Sequence, residues 1–293
     1  MIKRVLIGLF AVALIGANLY APLRLNELNI VIKAEVLFAV GPLVVTNSIL
    51  TTWVVMVILA IGAWRVGRNL VECPPARSAQ NVVQTIFEGA LDYLVRFAGP
   101  MARKYFAIAA SFFIFVLTMN WFSLLPGFGS IGLWRAVGEA REFVPLFRGA
   151  TADLNTTVAL ALISVLSAQA FGIYAQGPLT YLGRFVRVGS FIRFFRQLGA
   201  GKVQPGLLLT GLLDFFIGIL EVFEELTKVI SFSFRLFGNM FGGEVLLLVM
   251  AFILPYVVSL PFIGLEIMSG FVQAVIFTIL STAFAVRAAS SHG

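Results

Sequence analysis

The sequence predicts an all-α polytopic membrane protein with about five to six membrane helices, ending in a long tilted helical hairpin. Three observations point to a membrane protein. The 293 residues are 60% hydrophobic and only 12% charged, an excess that a soluble core of this size does not need. The apolar residues gather into runs long enough to cross a bilayer, which takes roughly 20 helical residues each. Basic residues outnumber acidic ones, 21 to 14, and in a membrane protein that surplus marks cytoplasmic loops. No nucleic-acid partner is expected. A lone Cys73 and a single histidine, His292, give no disulfide, zinc site or histidine base. No metal, cofactor or nucleotide-binding glycine loop is expected, and the scattered glycines suit close helix packing.

Residues 1–34 open with "MIKRVLIGLFAVALIGANLYAPL", a basic start and an apolar run of roughly 15 residues. That is either a signal-like segment or a first transmembrane helix, followed by an outer connection. Residues 35–293 form one membrane domain. Its first full span is "EVLFAVGPLVVTNSILTTWVVMVILAIGAW", at 35–64. Residues 65–104 carry Arg65, Arg68, Arg77, Arg96, Arg103 and Lys104 beside Glu72, Glu88 and Asp92, and "NVVQTIFEGALDYLVRFAG" fits an interfacial helix.

"YFAIAASFFIFVLTMNWFSLLPGFG" is the next span, with Asn120 near its end and Pro126-Gly127 as its breaker. A connection of mixed charge leads to the span "ATADLNTTVALALISVLSAQAFGIY", whose helix start either Thr151 or Asp153 can cap. The following connection holds Arg184, Arg187, Arg193, Arg196 and Lys202 and no acid. The positive-inside rule puts it in the cytoplasm with the 65–104 segment, and counting spans puts the C-terminal tail with Arg287 there too. Residues 205–289 contain two long helices broken at "LPYVVSLP", between Pro255 and Pro261. Both exceed one perpendicular crossing, and tilt takes up such length. No internal repeat is apparent.

The hairpin contains charges that hydrocarbon tolerates poorly. Asp214, Glu221, Glu224, Glu225, Lys228 and Arg235 lie on its first helix, with Glu244 and Glu266 further on. Each costs about 2.5–3.5 kcal/mol or more if unpaired at mid-membrane. Glu221, Glu224, Glu225 and Lys228 fall at i, i+3, i+4 and i+7, one stripe, and Glu224 can pair with Lys228 in the favourable acid-first order. Arg235 is seven residues beyond Lys228, and Asn239 is four beyond Arg235. No acid stands three or four residues from Arg235. It either pairs with an acid on a neighbouring helix of this chain, Glu266 being the candidate, or faces a carboxylate of another subunit or an ion path. Arginine stays charged in both settings. Glu244 and Glu266 are either helix-packing hydrogen-bonders or ion carriers, since buried carboxyls can accept and release a proton. Gln273, seven residues past Glu266, extends the same face.

The run "ISFSFRLFGNMFGGE" resembles the signature of subunit a of the F-type ATP synthase family, the static membrane subunit that flanks a rotating c ring. "TNSIL", "FIFVLTMNWFSLLPG", "TADLNTTVALAL" and "LEIMSGFVQAVIFTILSTAF" resemble that family in the expected order, across most of residues 40–285. The resemblance implies that Arg235 is the essential arginine facing the c-ring carboxylate and separating two aqueous half-channels, with Asn239 beside it. It implies that Glu244 and Glu266 line the outer half-channel and that Gln273 faces the arginine region. It also implies that Glu221 and Lys228 lead toward the cytoplasmic half-channel and that Asn120, Asp153 and Asn155 are polar residues of supporting helices. One departure is Val229, where family members often have proline after the lysine, so a less kinked helix is expected.

The implied partners are the c ring, peripheral-stalk b subunits, membrane lipid and a transported proton or sodium ion. The two ions are not separated by this chain, and protons are favoured on prior grounds alone. The implied location is the bacterial plasma membrane. No catalytic site belongs to the chain, the ATP chemistry lying in partner subunits. The alternative is a transmembrane subunit of an ion-coupled transporter or respiratory complex with an intramembrane charge network. Transporters tend to show inverted repeats.

Overall fold

A computed structural model of the chain describes residues 33–41, 43–68, 79–125, 128, 131–137, 140–185, 205–253 and 259–290. The apolar N-terminal run, the Pro126-Gly127 breaker, Arg187, Arg193, Arg196 and Lys202, and the start of "LPYVVSLP" lie outside these residues. The described chain is mostly helical. It begins with strands β1 (Val36–Val40) and β2 (Leu43–Thr46), then helices α1 (Asn47–Arg68), α2 (Ala79–Ala98) and α3 (Ala102–Phe122). Strands β3 (Gly132–Val137) and β4 (Ala140–Pro145) lead through a 3-10 turn at Ala150–Ala152 into α4 (Leu154–Gln176) and α5 (Pro178–Phe185). The two longest helices, α6 (Pro205–Ile253) and α7 (Ser259–Ala289), complete the chain.

The expected hairpin of long helices is present. Helix α6 runs through Lys228 and Val229 without interruption, consistent with the absence of proline there. Pro261 occupies the first turn of α7, where its missing N–H leaves no intrahelical bond unmade. The expected interfacial segment is helical as α2.

The span expected over 35–64 requires correction. Its first part is an antiparallel hairpin in which Val36 pairs with Thr46 and Val40 with Leu43, and the helix starts only at Asn47. Gly41, at φ 61°, supplies the left-handed backbone of the turn. The Thr46 hydroxyl accepts the Ile49 N–H at 3.4 Å and caps α1. The mixed-charge connection contains a second antiparallel hairpin, β3–β4, with Gly132 opposite Pro145. Elsewhere the joints follow ordinary stop signals. Gly177, at φ 86°, sends its N–H to Ile173 O at 2.9 Å and ends α4, and Pro178 then opens α5.

Among the described residues four helices, α1, α3, α4 and α7, are long and apolar enough to cross a membrane. Burial is inverted relative to a soluble protein. Trp53, Val57, Ile61 and Trp64 of α1 are exposed, while Asn47, Ser48 and Thr51 of the same helix are fully buried. Apolar surface of this extent needs a hydrocarbon solvent.

Contacts gather the chain into two compact units. One draws on described residues up to 72, from 111 to 157 and from 234 to 277. Its apolar centre is Val55, Met119 and Ala150, with Leu59, Phe115 and Phe122 around them. The other draws on described residues from 73 to 110, 158 to 233 and 278 onward. There Leu94, Tyr105, Ala109, Ala168, Phe171 and Ala285 pack together. The Tyr105 hydroxyl lies 2.7 Å from Ser167 Oγ and 3.2 Å from Ser281 Oγ, and Ser164 donates to Ser281 at 2.9 Å.

Gly172 permits the closest approach in that second unit. A Cβ there would sit 2.5 Å from the Tyr181 ring and 2.9 Å from Ala288 O, and the carbonyl cannot move without its helix. Gly172→Ala is therefore expected to destabilise the purified protein by about 1–3 kcal/mol. Thermal unfolding in detergent checks this, and an unchanged midpoint would show that the two helices separate at no cost.

Candidate functional site

Arg235 is half-buried on α6 and makes contacts of its own. One turn further, Asn239 accepts the Ser269 hydroxyl through Oδ1 at 2.6 Å, which ties α6 to α7 beside the arginine. The next turn brings Gly243 and Glu244. Glu266 of α7 places its carboxyl directly over Gly243, where any side chain would overlap it. Glu266 is buried at 3% exposure, and its Oε1 has no hydrogen-bond partner among the described residues.

Among the described residues Glu266 Oε1 makes no hydrogen bond, and Arg235 has an interaction of its own. Glu244 behaves differently. Its side chain is 44% exposed, and its Oε2 lies 3.6 Å from Nε of Arg148, a residue of the connection between β4 and α4. The two acids that the sequence treated alike therefore occupy unlike settings.

Gln273 is buried one heptad after Glu266, with Nε2 lacking a hydrogen-bond partner among the described residues. A buried amide and a buried carboxyl oxygen left unsatisfied are costly unless water or an ion completes them. Both belong to α7, as their spacing indicated.

Supporting polar residues surround this hairpin. Asn120, fully buried, donates through Nδ2 to Gly270 O at 3.0 Å and accepts the Thr151 hydroxyl through Oδ1 at 3.0 Å. Gly270 lets it approach, since a Cβ there would lie 3.1 Å from Asn120 Cβ. Asp153 resolves the capping question. Its extended backbone precedes α4, its Oδ1 accepts the Asn155 N–H at 3.0 Å, and its Oδ2 accepts the Ser48 hydroxyl at 2.5 Å. The Asn155 side chain itself is exposed.

Asp153→Ala is expected to cost about 1 kcal/mol for the cap, with a further 0.5–1.5 kcal/mol or so for the lost hydrogen bond to the buried Ser48 hydroxyl, which keeps Thr46 Oγ1 at 2.8 Å. Thermal unfolding of the purified variant reads the sum; a shift no larger than that of an exposed-surface control would contradict it.

In the second unit, Lys228 is buried and its Nζ lies 2.7 Å from Glu225 Oε1 and 3.2 Å from Glu224 Oε1. The i,i+4 pair expected from spacing is present, joined by an i,i+3 pair. Arg287 of α7 reaches the same Glu224 oxygen at 3.1 Å. Lys228 also stands 4.9 Å from the centre of the Phe284 ring. Glu221, half-buried, lies one turn before this cluster and has an interaction of its own.

The residues that sequence reasoning missed are Arg148, Ser269 and Ser48, together with the bond that Thr151 makes to Asn120. Each meets its partner across a long sequence separation, beyond the reach of helical spacing. The polar run from Arg148 to Asp153 just before an apolar span was the one available signal.

The chain matches the family described as "ATP synthase A chain" over residues 49–285. It is 31% identical over 242 residues to "ATP synthase subunit a" of Syntrophobacter fumaroxidans, an alignment covering 82% of this chain and 83% of the relative. It is 30% identical over 259 residues to "ATP synthase subunit a 2" of Pelobacter propionicus, covering 88% and 92%. "ATP synthase subunit a" of Moorella thermoacetica is 28% identical over 256 residues, 87% of this chain and 96% of the relative. With the apolar helices, these similarities identify an integral membrane protein.

Proposed function

Because the chain belongs to the ATP synthase A chain family, we propose that it is the ion-translocating stator subunit of a rotary F-type ATP synthase, with two offset half-channels that couple ion flow to rotation of a c ring. The observation that most supports this is the α6–α7 cluster. Arg235 and Asn239 lie on successive turns, and one turn on the buried Glu266 carboxyl rests on Gly243 beside Glu244.

In this reading an ion arrives from outside past Glu244 and Glu266 and neutralises a c-ring carboxylate. The neutral site rotates into lipid cheaply, whereas a charged one does not. At the cytoplasmic half-channel, reached past Glu221 and Lys228, the site releases its ion and is drawn back to Arg235. A fixed guanidinium at that point also repels a cation that would otherwise cross without turning the ring. The transmembrane potential supplies about 2.3 kcal/mol per charge per 100 mV. The transported ion is taken to be the proton, the b subunits of the peripheral stalk hold the chain against the torque, and the C-terminus faces the cytoplasm of a bacterial plasma membrane. The test is reconstitution of the complex with Arg235→Ala and measurement of ion-driven ATP synthesis, with assembly checked separately. Full coupled synthesis in an assembled variant would sink the rotary role.

A further inference from the structure

We propose that Arg148 is a positioning residue that fixes Glu244 as its counter-ion, so that the two outer acids divide the work. Glu244 is held in place at the exposed side, and Glu266 is the group that takes up the ion and hands it on. The inference rests on the stator reading above and assigns different roles to residues which that reading treats as a pair.

The setting of Arg148 is built. The residue is 8% exposed. Its backbone N–H donates to Thr51 Oγ1 at 3.3 Å, and Thr51 is itself fully buried with its hydroxyl anchored on Asn47 O at 2.9 Å. Its Nη1 donates to Lys33 O at 2.9 Å. Backbone and guanidinium are thus each anchored once, and the Nε faces Glu244 Oε2 at 3.6 Å. A buried guanidinium needs an anion close by, because a charge removed from water without a partner is strongly unfavourable.

Glu266 has the opposite character. Its Oε1 has no hydrogen-bond partner among the described residues, and the space that its carboxyl fills exists because residue 243 is glycine. An acid clamped by a fixed cation suits a stationary wall of a path. An acid with an unfilled oxygen suits a group that binds and releases an ion.

The test uses the whole complex reconstituted in vesicles and reads passive ion flux through the membrane sector, together with subunit stoichiometry as the measure of assembly. Arg148→Gln and Glu244→Gln are each expected to lower flux about tenfold, and the double variant to fall no lower than the worse single one, as for residues acting through each other. Arg148→Lys is expected to keep most of the flux by preserving the charge. Glu266→Gln is expected to reach background. Losses that multiply in the double variant, an Arg148→Lys variant as impaired as Arg148→Gln, or wild-type flux in Arg148→Gln would each overturn the inference. If Arg148→Gln fails to assemble, Arg148→Lys combined with Glu244→Asp replaces it. Widening the gap from both sides should then lower flux by more than the product of the single effects, and a simple product overturns the inference. Loss of synthesis in Arg235→Ala alongside such a result removes this inference alone, whereas retained synthesis in Arg235→Ala removes the stator reading itself.

Discussion

Alanine at position 235 is expected to abolish ion-driven ATP synthesis in a complex that still assembles. Arg235 is half-buried on α6, while the packing of that stretch rests on its fully or nearly buried neighbours Phe232, Leu236 and Met240. Truncating the arginine removes little of that packing, so the stoichiometry of subunits should hold. In the proposed stator reading, what it removes is a fixed cation at the point where a c-ring carboxylate is to be drawn out of lipid. Breaking a buried charge pair by removing one member costs about 3–5 kcal/mol, and at about 1.4 kcal/mol per tenfold that places synthesis below roughly a hundredth of the normal rate. Lysine is expected to recover little, because a compact ammonium on a shorter stem does not reproduce the planar fork of a guanidinium. Passive flux separates this outcome from simple blockage. If the proposed half-channels are separated by this charge, its removal lets ions pass between them without rotation, so an assembled Arg235→Ala sector should leak while it fails to synthesise. A tight sector that still makes ATP at full rate would refute the assigned role.

How far the sequence revealed this can be judged residue by residue. The long hairpin was legible because hydropathy, charge spacing and prolines agree over 205–289, and α6 and α7 follow those limits closely. The Glu224–Lys228 pair was legible because it obeys the helical period; Glu225, a turn away on the same stripe, shares the lysine. The hairpin of β1 and β2 was not legible. "VLFAV" and "LVVT" are as apolar as the helix that follows, and a hydropathy run cannot tell buried strand from helix. Gly41 was the discriminating residue, since a positive φ there turns the chain back. The choice between Thr151 and Asp153 as a cap was unreadable for a different reason. Thr151 spends its hydroxyl on Asn120, a residue 31 positions away, and only tertiary structure reveals that use. Glu244 shows the same limit. Its cation lies in a loop, and local periodicity along α6 contains no trace of it.

Gly243→Ala is expected to stop ion uptake without disturbing the fold, and the reason lies in what the added methyl would meet. A Cβ at 243 would overlap Oε1, Oε2 and Cδ of Glu266. These atoms are the far end of a flexible side chain, so the carboxyl yields rather than the helices. The carboxyl is buried at 3% exposure, so it must be pushed into a different set of neighbours, away from the place beside Glu244 and one turn from Asn239 that the proposed route requires. Misplacement of a reacting group by about 1 Å can cost roughly a hundredfold. Passive flux through the assembled sector is therefore expected to fall by one to two orders of magnitude, at about that limit, with subunit stoichiometry and helix content unchanged. Two companions identify the cause. Gly242→Ala adds the same methyl where nothing lies within 4 Å, and it should conduct normally, which removes helix propensity as an explanation. Glu266→Asp in the Gly243→Ala background shortens the acid by one methylene and restores room over residue 243, so part of the flux should return. Normal conduction in Gly243→Ala, or no recovery on shortening the acid, would mean that the place of the Glu266 carboxyl does not govern the path. Recovery in the double variant would instead identify the glycine as the residue that makes space for the acid carrying the ion.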